Sequence, residues 1–209
     1  MTNRHGLPES FWNQYETIDE TFKNKFYPDV LKGISGGRIW NMRICDDFVS
    51  IAAENAQKFN YDGQVICLML GSNDWARHVS ELEFEERYQT LVEKFLAIPN
   101  TAVVVTGLLP RESEEGSNRR TDMSVPNKII RKIATYLSKN NNKVWFVALH
   151  KIVLEKGTGD SRDSRVVATG SLKDGVHLSQ SAVDTVAAKL MEAIRKLPKS
   201  WFPLHPCNY

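Results

Sequence analysis

Hydrophobic and polar positions along this 209-residue chain follow two alternating periods. Three stretches are almost continuously apolar: "GQVICLML", "TAVVVTGLL" and "KVWFVALHKI". Such runs fit strands covered on both faces, as in a parallel sheet packed between helices. Around them the apolar positions recur at helical spacing. "CDDFVSIAAENAQKF" predicts an amphipathic helix with Asp46 and Asp47 in its first turn, where carboxylates suit the helix dipole. "FEERYQTLVEKFLAI" predicts a second helix and "NKIIRKIATYLSK" a third. In the third, Ile129, Ile130, Ile133 and Tyr136 take the core-facing positions, while Lys128, Arg131 and Lys132 line another side. A last helix is expected from about Ser181 to Lys196. Ahead of all these, "PESFWNQYETIDETFKNKF" opens a helix near Pro8, and "DVLKGIS" is a short strand ending at Gly36-Gly37. Polar loops follow "GLLPRE" and "KVWFVALHKI".

Strands alternating with helices predict an α/β fold: a three-layer α/β/α sandwich with a mostly parallel central sheet. The length suits a single domain over residues 1–209. No apolar run approaches the roughly 20 residues needed to cross a bilayer, so no membrane partner is expected. No apolar stretch follows the N-terminal charges, so no secretory signal is expected. Cys45, Cys67 and Cys207 are odd in number and lack metal-ligand spacing, which reads as reduced thiols in a cytoplasmic protein. His5, His78, His150 and His205 complete no ligand set, so neither a metal nor another cofactor is expected.

In such folds ligands bind beyond the C-terminal ends of the strands. That rule gathers "GISGGR", "GSNDWAR", "GLLPRE" and "DGVHLS" around one crevice. In the last of these, Asp174 precedes His177 by three residues, as in the acid-base half of an acyl-transfer site. A site of that kind needs a hydroxyl within reach of the base, a carboxylate to fix the His tautomer and donors for the developing charge.

The order and placement of "GISGG", "GSND" and "DGVHLS" resemble the SGNH (GDSL-type) esterase and lipase family. The resemblance implies an SGNH hydrolase-like fold with a flavodoxin-like strand order. It also implies Gly36 and Asn73 as oxyanion donors, and Asp174 and His177 as the pair that activates a Ser. That Ser has no counterpart. Counting back from Gly36 to where the family's Gly-Asp-Ser belongs reaches "TNRHGLPES", and aligning "TNRH" with the "GDSH" of some members puts Arg4 at the Ser position. A guanidinium that stays protonated to about pH 12 is no nucleophile. Ser10 belongs to a helix start. The literal Gly159-Asp160-Ser161 lies in the polar loop "KGTGDSRDSR", with no strand-to-helix elbow to expose it. The chain therefore reads as an inactive hydrolase, not an enzyme, with Asp174 a helix cap and His177 a satisfied histidine at the crevice edge. The alternatives are an active esterase with a misaligned or upstream nucleophile, and a protein-interaction scaffold.

Charge then changes the picture. Residues 1–110 carry ten Lys/Arg against fifteen Asp/Glu, whereas residues 111–209 carry seventeen against ten. Such segregation implies either a basic face for a polyanionic partner or a merely well-solvated surface. Arg38, Arg77 and Arg111 belong at the strand ends, and Arg43 is a further candidate contact. Arg119, Arg120, Lys128, Arg131 and Lys132 follow in a stretch poor in acids. Positive charges on one ridge beside a cleft are a footprint for phosphate backbones. Trp40 and Trp75 flank the same ends, either to stack on bases or to pack against a helix. No RNP motif or zinc knuckle is present.

A narrower similarity, carried by "HGLPESFWNQYETID" and "LMLGSNDWARHV", is to the serine-less SGNH-like domains of insect germ-plasm proteins. It implies the C-terminal part of a longer protein, binding mRNA 3′ untranslated regions and working with other germ-plasm proteins. The corresponding location is cytoplasmic ribonucleoprotein granules of the germ plasm.

Overall fold

The computed structural model describes residues 38–39, 42–58, 63–111, 122–140, 142–156, 165–172, 177–198 and 201. Arg4, the helix at Pro8, the strand "DVLKGIS", Gly36, Trp40, the GDS-containing loop and Asp174 lie outside them. So do Arg119 and Arg120.

Strand β1 (Gln64–Leu68), strand β2 (Thr101–Thr106) and strand β3 (Val144–Val147) form a parallel sheet in that order. Register pairs Ile66 with Val103 and Leu68 with Val105. It likewise pairs Val103 with Val144 and Val105 with Phe146. Because strand side chains alternate, these six residues share one face, and all of them join the main core. β2 is buried at every position, as its continuous apolar run predicts.

Helix α1 (Met42–Lys58) precedes β1, and a short helix α2 (Ser72–Ala76) follows it. Helices α3 (Glu81–Leu96) and α4 (Ser124–Lys139) connect β1 to β2 and β2 to β3. Both crossovers step the same way along the sheet, so right-handed connections put both helices on one face. There α3 packs on α4 and on α1. Phe84, Tyr88, Val92, Ile130 and Ile133 are almost wholly buried between them and the sheet. Helix α5 (Gln180–Arg195) borders the other face of the sheet at Trp145 and Val147. Helices thus stand on both faces.

Four details depart from the sequence expectation. α1 begins at Met42, so Asp46 and Asp47 fall past its first turn; Asp46 instead pairs with Lys94 of α3 at 2.5 Å. Only Val144–Val147 of "KVWFVALHKI" is strand, and Leu149–Ile152 forms a 3-10 turn. The reason lies in β2, whose pairing with β3 ends at Thr106 and Val147 and leaves the next residues no ladder partner. Beyond the turn, strand β4 (Leu154–Lys156) pairs antiparallel with strand β5 (Arg165–Val167), a pairing that the polar surroundings hid. Finally, Tyr136 faces outward and is 55% exposed. The buried stripe of α4 runs through Asn127, Ile130, Ala134 and Leu137, so position 136 is rotated out of it. No helix among the described residues is long and apolar enough to cross a membrane.

Candidate functional site

The crevice is built from the turns that follow β1 and β2. After β1 the chain must reverse within a few residues to start α2, and Gly71 makes the turn at φ +115°. Only glycine adopts that conformation without strain. The ring of Phe84 lies directly beside it, where an added Cβ would come within 2.9 Å. Asn73 and Asp74 follow on α2.

Their neighbouring side chains do different jobs. Asp74 is buried, and its Oδ2 accepts the backbone N–H of Ile39 at 3.0 Å. The carboxylate therefore ties the segment after "GISGG" to the helix that carries Asn73. Trp75 is also buried. Its indole N–H donates to the Asp122 carbonyl at 2.9 Å, and its ring meets Phe84 edge-on. Of the two expectations for this residue, packing is the one realised; a ring 4% exposed offers no stacking face to a base.

After β2 the loop "GLLPR" is held from behind by Asn127. Its Oδ1 accepts the N–H of Leu108 at 2.6 Å, and its Nδ2 donates to the Leu108 carbonyl at 3.1 Å. One buried amide thus satisfies both backbone groups of a residue that is itself buried. Gly107 opens the loop, with the His150 ring so close that an added Cβ would stand 2.1 Å from Nδ1. Held this way, the loop presents Arg111 to the other turn. Its Nη2 donates to Asn73 Oδ1 at 2.6 Å and lies 3.3 Å from Ser72 Oγ.

That contact determines what the corner can do. With Oδ1 bound to a guanidinium, the Asn73 amide is oriented, and its NH₂ end is the donor. A fixed donor backed by a cation suits a negatively charged oxygen, whether the oxyanion of an acyl transfer or an oxygen of a phosphate. Sequence reasoning placed Asn73 and Arg111 near each other but missed the bond between them. It also missed Asp74 and Asn127, whose only signal is a polar residue at a helix start, which equally suits a cap.

The other candidates are spread out. Arg38 is half-buried beside Ile39, and its carbonyl faces the Cys45 thiol across 3.9 Å. Burial pushes the Cys45 thiol up from its ordinary pKa, and the Asp74 and Asp46 carboxylates push the same way. Arg77 is exposed at the C-terminal end of α2. Arg43 lies on α1. Lys128, Arg131 and Lys132 are all exposed on α4, as their spacing predicts. Lys132 is not an unopposed charge, because its ammonium meets Glu85 of α3 at 2.7 Å. The Arg131 guanidinium lies over the Phe146 ring, 6.0 Å from its centroid. His177 is exposed, just before the bridge between Leu172 and Leu178. Among the described residues no cluster of three His, Cys, Asp or Glu side chains could hold a metal ion.

A separate groove of about 300 Å³ runs between the outer edge of β3 and α5, lined by Trp145, Phe146, Leu149 and Ile152 among others. On its rim Glu192 pairs with Lys189 and Lys196, and those two ammonium groups hold its carboxyl down to about 2.

A family model described as GDSL-like lipase/acylhydrolase matches residues 5–183. Comparison with curated proteins gives no match. Among solved structures, a GDSL-like lipase from Bacteroides thetaiotaomicron is similar at 21% identity and TM-score 0.58, over 90% of this chain and 83% of that one. A family 3 carbohydrate esterase from Clostridium thermocellum is similar at 22% identity and TM-score 0.53, over 81% and 72%. A carbohydrate esterase of family 3 from Talaromyces cellulolyticus gives 17% and 0.53, over 82% and 77%. At these identities the likeness is one of fold.

Proposed function

Because the chain belongs to the GDSL-like lipase/acylhydrolase family, we propose that it keeps the family's crevice but binds RNA there and on the adjoining basic face, without hydrolysing esters. The observation that carries this reading is the Arg111 guanidinium on Asn73, 2.6 Å from its Oδ1. It puts a permanent cation behind a fixed donor, an arrangement that would hold a phosphate oxygen as well as an acyl-transfer oxyanion. Arg4 at the aligned Ser position argues the same way, since a guanidinium cannot attack carbon. Arg77 at the end of α2 and Lys128, Arg131 and Lys132 on α4 are further exposed basic side chains. The narrower sequence similarity suggests mRNA 3′ untranslated regions as the ligand and germ-plasm granules as the setting.

A second reading, an active esterase, is favoured by the family match and by the esterases among the similar folds. It requires a hydroxyl nucleophile paired with His177. Two assays separate the readings. With p-nitrophenyl acetate we expect no turnover above buffer; turnover that His177→Ala abolishes would establish the esterase. With a fluorescent single-stranded RNA we expect binding that weakens steeply with salt. Four phosphate contacts predict roughly a 50-fold loss between 50 and 200 mM. Binding that ignores salt would contradict a basic RNA surface.

A further inference from the structure

The outward side of α4 carries more than charge. Lys128, Lys132 and Tyr136 follow one another four residues apart, about 6 Å along the helix axis per step. Arg131, Thr135 and Lys139 form the neighbouring row, and all six residues are exposed. α4 contains no acidic residue anywhere along its length. Lys128 and Lys139 form no ion pair among the described residues. Tyr136 stands at the meeting of these rows with more than half its surface in solvent, although a ring of that size ordinarily gains by burial. What sets Tyr136 apart from other exposed apolar side chains is its place in two rows that otherwise carry only Lys, Arg and Thr.

Resting on the RNA reading above, we infer that Tyr136 is a stacking platform for an unpaired base of single-stranded RNA. Lys128 and Lys132, on the N-terminal side of Tyr136, and Lys139, on its C-terminal side, hold the phosphates of the neighbouring nucleotides. Every base presents a π-face, so the contact tolerates sequence, and it needs the base to be out of a duplex. Arg131 lies over Phe146, turned away round the helix from Tyr136, so its charge serves the ridge and not the platform itself. Lys132 keeps its Glu85 partner, so Lys128 and Lys139 supply the more available charges.

The test is fluorescence anisotropy on the intact chain with a labelled single-stranded RNA and with the duplex of the same sequence. Tyr136→Ala is expected to weaken single-strand binding roughly ten-fold, with an unchanged salt slope, while Tyr136→Phe stays near wild type. Duplex binding is expected to be unmoved by either substitution. Replacing Lys128 and Lys139 with Gln is expected to flatten the salt slope for both RNAs. The platform is wrong if wild type binds RNA but Tyr136→Ala binds the single strand equally well, or loses strand and duplex alike. It is also wrong if polyglutamate binds as tightly as RNA and Tyr136→Ala changes neither, which would mark the ridge as a protein-docking face. If wild type binds no RNA at all, the proposed function fails, and the platform with it. Tyr136 is exposed and alanine favours helix, so these variants are expected to fold.

Discussion

Replacing Gly71 with Ala is expected to cost about 2–6 kcal/mol of stability and to lower the melting temperature by roughly 10 °C. Two costs add at this position. The backbone sits at φ +115°, where a residue with a Cβ is strained by about 1–3 kcal/mol. The new methyl would also stand 2.9 Å from the Phe84 ring, which is 1% exposed and packed edge-on against Trp75. Overpacking of that kind costs about 1–3 kcal/mol more. Urea unfolding of the variant checks the prediction. A shift in stability below about 1 kcal/mol would mean that the turn does not hold Asn73 as described.

Asn127→Ala is expected to cost about 2–4 kcal/mol, because it strands two buried backbone groups at once. The Leu108 N–H and C=O both bond to the Asn127 amide, at 2.6 and 3.1 Å, and neither reaches solvent in its place. The substitution has a second signature. The loop that Asn127 holds carries Arg111, so under conditions where the variant remains folded its RNA affinity should fall with that of Arg111→Ala. Thermal unfolding together with anisotropy measures both effects. A variant as stable as wild type, with undiminished RNA binding, would show that Asn127 is not the clamp.

These two residues illustrate how unevenly the sequence reports on the structure. A run such as "TAVVVT" can be satisfied only by burial on both faces, so the central strand was legible directly. The helix read at Phe84–Ile98 was legible too, although it runs Glu81–Leu96: its start is set by Ser80, whose hydroxyl accepts the Glu83 N–H, a cap the sequence reading passed over. Tyr136 was misplaced because its spacing from Ile129 and Ile133 fits a core face. Which stripe is buried depends on how the helix rotates against the sheet, and local spacing does not contain that rotation. The end of β3 was illegible for a similar reason: "VWFVALHKI" stays apolar past Val147, but its ladder partner stops at Thr106.

At the site, Asn73 and Arg111 were recognisable by type and by their position after strands. Their hydrogen bond joins loops 38 residues apart and depends on how closely two turns approach. Asp74 and Asn127 act through long-range bonds to backbone, which no motif announces.

The most direct measurement is photocrosslinking of the chain to a 4-thiouridine-containing single-stranded RNA, followed by mass-spectrometric mapping of the adducts. RNA binding through the crevice and basic face predicts adducts on the peptide containing Arg111 and on peptides of α4 around Lys128–Lys139. Adducts confined elsewhere, or none under conditions where a known RNA-binding control crosslinks, would contradict it.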